Sequence, residues 1–271
     1  MSIKTIIAVA ALILSLEGKA KEWNGSAGAS YSSDLEGSNP ISSFSFGLSK
    51  PISEKITAGF SQGLVKKFYI YPDEDEFSLA DTVIYSSMPL GKLGPLSQTA
   101  SLSLTLPISE PSRDNEKYTN VSLGWSGSHS VFNEKLGLSY GVSGTGYLSK
   151  YQSEKSDEGL GGSPLPLASL SLSHGGSYSI LESLKAVYSL ALTRIWYYEL
   201  DPEQDSILFS ISDLPDEIYR ASFGISHTMD KGLSLSAGFS KGNLITQIGT
   251  LDLAFFDEEL SQYYLSLGWS F

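Results

Sequence analysis

Beyond residue 20, apolar and polar positions alternate with a period of two, the spacing of a strand whose faces meet different surroundings, rather than the 3.6 of a helix. In Ile41 to Ser49, Phe44, Phe46 and Leu48 alternate with Ser43, Ser45, Gly47 and Ser49. The same alternation returns in Ala100 to Leu106, Val121 to Ser126, Leu136 to Ser143, Ser169 to Ser173, Phe223 to Ser226 and Leu233 to Phe239. One face of each segment is apolar; the other is small and polar. The pattern predicts twelve strands, over roughly 23–34, 41–50, 55–68, 77–89, 96–107, 118–130, 136–149, 165–177, 184–197, 217–228, 232–243 and 260–271.

The connections alternate in kind. Short turns such as 51–55, 131–135, 180–183 and 228–232 alternate with longer acidic stretches rich in Pro, Gly and Asp, around 72–76, 110–116, 151–163, 201–216 and 244–259. An open soluble sheet would carry charges on its polar face, whereas these faces carry mostly Ser, Gly and Thr. In lipid only a closed barrel satisfies every edge hydrogen bond. The expected fold is therefore an all-β, closed antiparallel transmembrane β-barrel of about 12 strands, an up-and-down meander with short periplasmic turns and long acidic extracellular loops.

The last segment sharpens this reading. Tyr263, Leu265, Leu267, Trp269 and Phe271 share one face, and the sequence ends on Phe271. That ending resembles the C-terminal signature of Gram-negative outer-membrane β-barrel proteins, and with the alternating segments the resemblance to that porin-like family covers the whole chain after residue 20. It implies a home among outer-membrane lipid and lipopolysaccharide, with the barrel-assembly machinery as a partner acting through those five residues. No local motif assigns a subfamily. Twelve-stranded members of the family include nucleoside channels, acidic-oligosaccharide porins, a phospholipase and autotransporter translocators.

Residues 1–20 read differently from the rest. Lys4, the apolar run Ile6 to Leu16 and the small residues before Lys21 form a secretory signal peptide, with 21–271 as a single barrel domain. About eleven apolar residues fall short of the roughly twenty that a spanning helix needs. Composition narrows the function. With no Cys there is no disulfide framework, thiolate metal site or acyl anchor, and no cofactor is expected. A net charge of −12 and a pI near 4.7 argue against nucleic acid as a partner.

Candidate chemistry is sparse. His129, His174 and His227 fall in the apolar phase near the periplasmic turns, where they belong to an interfacial belt with Tyr and Trp. Gly137-Leu138-Ser139-Tyr140-Gly141 matches a nucleophile elbow by letter only, since that chemistry needs a strained strand-to-helix turn and Ser139 lies within an uninterrupted alternation. The chain is read as a non-enzyme. Acidic runs such as Asp73 to Glu76 and Asp257 to Glu259 match no calcium-loop spacing, so no metal site is assigned.

Function must then reside in the interior. The lumen-phase residues Ser103, Ser122, Ser139, Ser171, Arg220, Ser236, Gln262 and Tyr264, with Asn24, are expected to line a pore. Diameter grows with strand number, so twelve strands lined by small residues leave water-filled space. The expected function is passive diffusion of small polar solutes or ions, with cations preferred because the long connections are acidic. Arg220 is the main base expected inside, and acidic sugar polymers look like poor substrates for so few lumen-phase bases. The competing reading is a structural or surface-interaction barrel, closed or plugged by 151–163 or 200–216.

Overall fold

The computed structural model describes residues 23–37, 39–68, 76–153, 164–199, 217–245 and 261–271. Thirteen strands form one sheet: β1 (Asn24–Asp34), β2 (Ile41–Pro51), β3 (Thr57–Lys67), β4 (Phe77–Leu79), β5 (Thr82–Leu93), β6 (Leu96–Leu106), β7 (Lys117–Val131), β8 (Leu136–Ser149), β9 (Pro166–Ser179), β10 (Leu184–Tyr197), β11 (Glu217–Thr228), β12 (Leu233–Ile245) and β13 (Ser261–Ser270). A five-residue helix, α1 (Glu110–Asp114), lies between β6 and β7. Both β4 and β5 pair with β3, so they are two parts of one interrupted strand, and among the described residues the wall has twelve strands. The predicted signal peptide, 1–20, lies outside the described residues.

Every pairing is antiparallel between neighbours in the chain, and β13 returns to β1 to close the ring. At that seam Gly25 and Phe271 exchange backbone bonds of 2.8 and 3.0 Å. A side chain at residue 25 would meet the Phe271 ring at 2.1 Å, so only glycine lets the terminal aromatic lie across β1. Closure leaves no unpaired edge for the apolar exterior to expose.

The alternation gave the strands their places to within a few residues; the departures come where one strand depends on another. The segment expected at 77–89 breaks at Ala80–Asp81 and continues to Leu93. At the break Gln62 substitutes for ladder bonds, donating 2.7 Å to the Ala80 carbonyl and accepting from the Thr82 hydroxyl. Lower in the same strand the register slips between Pro89 and Gly91, where proline has no N–H to give the ladder. The β5–β6 hairpin then closes through Gly94-Pro95, with Gly94 at φ 59° ahead of a proline whose ring holds φ negative.

Candidate functional site

The two faces of the wall follow from exposure and register together. Large apolar residues stand exposed on one parity, among them Leu104, Leu123 (64% exposed), Val142, Leu172, Phe223, Leu265 and Leu267, which marks it as the outside. The opposite parity faces the lumen. Cross-strand partners trace its rungs: Tyr85, Ser103, Ser122, Thr145 and Ser169 form one, and Ser101, Gly124, Ser143, Ser171 and Thr193 the next. A third winds over nine strands through Ser97, Ser128, Ser139, Gly175, Ser189, Ser222, Ser240, Gln262 and Asp34. Ser236 lies opposite Ser226 and Ser266, and Asn24 opposite Ser49.

The inward hydroxyls bond sideways to one another. Ser122 and Thr145 are 2.8 Å apart, Ser171 and Thr193 2.6 Å, Ser189 and Ser222 2.8 Å, and the Ser236 hydroxyl donates to that of Ser226 at 3.0 Å. Each hydroxyl keeps further hydrogen-bonding capacity for water while lying flat on the wall. Tyr264 also lies flat: its phenol oxygen sits where a Cβ on Gly224 or Gly238 would be, 2.6 and 2.7 Å away. Two glycines thus keep the Tyr264 ring out of the bore.

Charge inside departs from the sequence expectation. Arg220 pairs with Ala191 on the inward parity. It is accompanied there by Lys67 opposite Ile41, Lys92 opposite Ser97, Lys117 opposite Ser149 and Lys185 opposite Ser226, against a single inward strand acid among the described residues, Asp34. Lys92 was hidden in a stretch that reads as a turn, and the others sit at strand ends where alternation is weakest. Near the short turns Lys92 and Glu134 border an open cavity of about 570 Å³ lined by Ser97, Ser128, Ser139 and Ser177.

The histidines lie on the outer parity. His129, Tyr140, His174 and Tyr188 form a ring ladder across β7 to β10, with centroids 5.8, 5.0 and 5.5 Å apart. His174 Nδ1 lies 3.1 Å from the Ser139 carbonyl and its Nε2 2.8 Å from the Tyr188 hydroxyl, so Nδ1 carries the proton and the phenol donates to Nε2. Ser139 and His174 therefore meet through the backbone only, with their side chains on opposite sides of the wall. Among the described residues no three of His, Asp and Glu gather as a metal-binding group.

At the rim opposite the short turns Asp81, in the strand break, ties down the α1 loop. Its carboxylate accepts the Ser109 N–H at 2.8 Å and the Ser112 hydroxyl at 2.6 Å. Burial raises its pKa, but the bonds from Ser112 and Ser109, with Lys117 nearby, outweigh that and hold the carboxyl below its usual range. The expected plug segments, Tyr151–Ser163 and 200–216, lie outside the described residues apart from 151–153.

No known protein family matches this chain, and no curated protein matches it in sequence. Solved structures do. The COG4313 outer membrane channel of Pseudomonas putida F1 superposes with a TM-score of 0.58 at 12% identity, covering 92% of this chain and 95% of that one. The NanC porin gives 0.55 at 10% identity over 91% and 98%, and the KdgM porin, solved in complex with disordered oligogalacturonate, 0.52 at 10% over 91% and 99%. The chain has the fold of porin-like outer-membrane β-barrels.

Proposed function

We propose that this chain is an outer-membrane channel through which small polar solutes and ions diffuse passively. The observation that carries the reading is the inward wall: continuous rungs of Ser, Thr and Gly on a closed twelve-strand ring, with hydroxyls bonded along the wall and the inward Tyr264 seated on glycine. Water-filled space with hydroxyl walls offers a polar solute hydrogen bonds without a strong binding site. Export through residues 1–20 and assembly through the face of Tyr263, Leu265, Leu267, Trp269 and Phe271 belong to the same proposal, as does a lumen lined by Ser103, Ser122, Ser139, Ser171, Arg220, Ser236, Gln262 and Tyr264. No catalytic step is part of it: Ser139 and His174, which meet through the Ser139 carbonyl, have their side chains on opposite sides of the wall.

Cations are the preferred ions at the outer mouth. The support is sequence charge: Asp73 to Glu76, Glu154, Asp157, Glu158, Asp201, Glu203, Asp205 and Asp257 to Glu259 all belong to the long connections. The inward bases oppose that preference further in. A second reading, a barrel closed at its outer mouth that serves as a surface-interaction protein, is favoured by the anchoring of the α1 loop on Asp81. Planar-bilayer recording of the refolded protein separates the two: stepwise conductance is expected, and its absence in protein that still migrates faster unboiled than boiled on gels would favour the closed barrel.

A further inference from the structure

One polar cavity on the inner wall carries two opposite charges that do not meet. It is open, about 570 Å³ in volume, and lies near the short turns. Register supplies its floor: Lys92, Ser97, Ser128, Ser139 and Gly175 are successive cross-strand partners from β5 to β9 on the inward parity, and Ser177 follows Gly175 on the same face. A Cβ on Gly175 would stand 2.9 Å from the Ser139 hydroxyl, so that hydroxyl lies over the glycine and the floor stays shallow. Lys92 borders the cavity from β5 and Glu134 from the β7–β8 turn. Those strands are two spacings apart in the wall, about 10 Å. Among the described residues neither side chain has an ion pair or a hydrogen bond.

The turn that carries Glu134 is strained. Phe132, Asn133 and Glu134 are all left-handed, at φ 53°, 53° and 66°, and the Lys135 N–H closes the turn on the Phe132 carbonyl at 3.2 Å. Residues with a Cβ adopt that conformation at a cost, and strain of this kind gathers where a side chain has to be held in position. Two unlike charges held at separate borders of a hydroxyl-walled cavity offer a solute more than hydroxyls. A neutral solute would use only the serines, and an ion with one charge would leave Lys92 or Glu134 unmatched. A zwitterion matches both: its carboxylate accepts charge-assisted hydrogen bonds from the Lys92 ammonium, its own ammonium donates to the Glu134 carboxylate, and the serine hydroxyls replace water around the rest. The geometry points to this cavity as a subsite for small zwitterions, α-amino acids and short peptides, on their way through the lumen. The inference rests on the channel reading and deepens it by naming a class of solute.

The test is the flux of radiolabelled L-alanine into vesicles containing the full refolded chain, with L-arabinose as a neutral permeant in the same preparation and heat-modifiable migration as the check on folding. In wild type, alanine flux is expected to saturate while arabinose flux rises linearly. Unlabelled alanine should compete about four-fold better than propionate or ethylammonium, each of which lacks one of the two charges, because a unit charge about 5 Å away in water is worth about that factor. Lys92→Gln and Glu134→Gln should each remove the advantage and leave arabinose flux unchanged, whereas Lys55→Gln, in another short turn, should alter neither. Lys92→Glu and Glu134→Lys should each abolish saturation, and Lys92→Glu/Glu134→Lys, which keeps the pair in reverse, should restore it. Linear alanine flux in a wild type that passes arabinose, equal competition by alanine and its singly charged analogues, or failure of the exchanged pair to restore saturation would overturn the proposal. Folded wild type that passes neither solute would count against the channel reading itself, and the subsite would fall with it.

Discussion

At the scale of single residues, the barrel is specified by which side of the wall each side chain occupies. Val142 faces out, paired with Trp125 and Leu172, while its chain neighbour Ser143 faces in beside Gly124 and Ser171. An Arg at a lipid-facing midplane site costs about 2–4 kcal/mol, falling to about 0–1 near the interfaces. Val142→Arg is therefore expected to lose about 2–4 kcal/mol in reversible urea unfolding from vesicles, and Ser143→Arg very little. Leu138→Arg should fall between them, because Leu138 sits three residues into β8 beside His129, within the belt of rings. Equal losses at 142 and 143 would refute the register. The terminal residue gives a second test. Phe271 fits only because residue 25 has no side chain, so Gly25→Ala should disturb outer-membrane assembly much as deletion of Phe271 does, although it leaves the C-terminal sequence untouched. Normal surface levels of Gly25→Ala alongside poor levels of the deletion would show that the assembly machinery reads the terminus itself and not its seating.

At the scale of elements, strands were legible because their two faces meet two solvents. The lipid face demands apolar residues and the lumen face tolerates small polar ones, so a period of two is written into each segment without reference to its neighbours. Interruptions were not legible, since they are settled between strands. Nothing local to Ala80–Asp81 announces a break that Gln62, eighteen residues earlier, makes tolerable. The same break frees Asp81 to hold the α1 loop, a contact spanning 28 and 31 residues that no alternation could encode. Because that carboxyl is held below its usual range, its contribution is present above the ordinary Asp pKa and is lost as pH falls through the lowered value. Hydrogen-exchange protection across 109–116, corrected for intrinsic rates, should be constant near neutrality and decline in acid. In Asp81→Asn it should be weak at every pH, and protection in the variant equal to wild type would show that the loop is held by something else.

At the scale of the whole molecule, the lumen was legible as a phase but not as a charge. The sequence pattern identified Ser103, Ser122, Ser139 and Ser171 as one face, and the register joins them into rungs. Lys67, Lys92, Lys117 and Lys185 became inward residues only once hairpin register and bulges were fixed, and they join Arg220 inside a protein whose net charge is −12. The result is a proposed channel with acidic connections at one rim and bases on its inner wall, two of them, Lys92 and Lys185, near the periplasmic turns. A unit charge about 5 Å from an ion's path changes its energy in water by about 0.8 kcal/mol, a factor of about four in local concentration before screening. Arg220→Ser should therefore raise cation preference, Lys92→Ser/Lys185→Ser should raise it again, and neutralising Asp257, Glu258 and Glu259 should lower it. Screening supplies the discriminating condition, because the Debye length falls from about 10 Å at 0.1 M to about 3 Å at 1 M. The rim acids act across open water and should lose their influence at high salt, whereas Arg220, on the wall of the bore itself, should keep more of its own. Reversal potentials under salt gradients measure both effects, and anion preference in the wild-type channel at low salt would mean that the inner wall, not the rim, sets its selectivity.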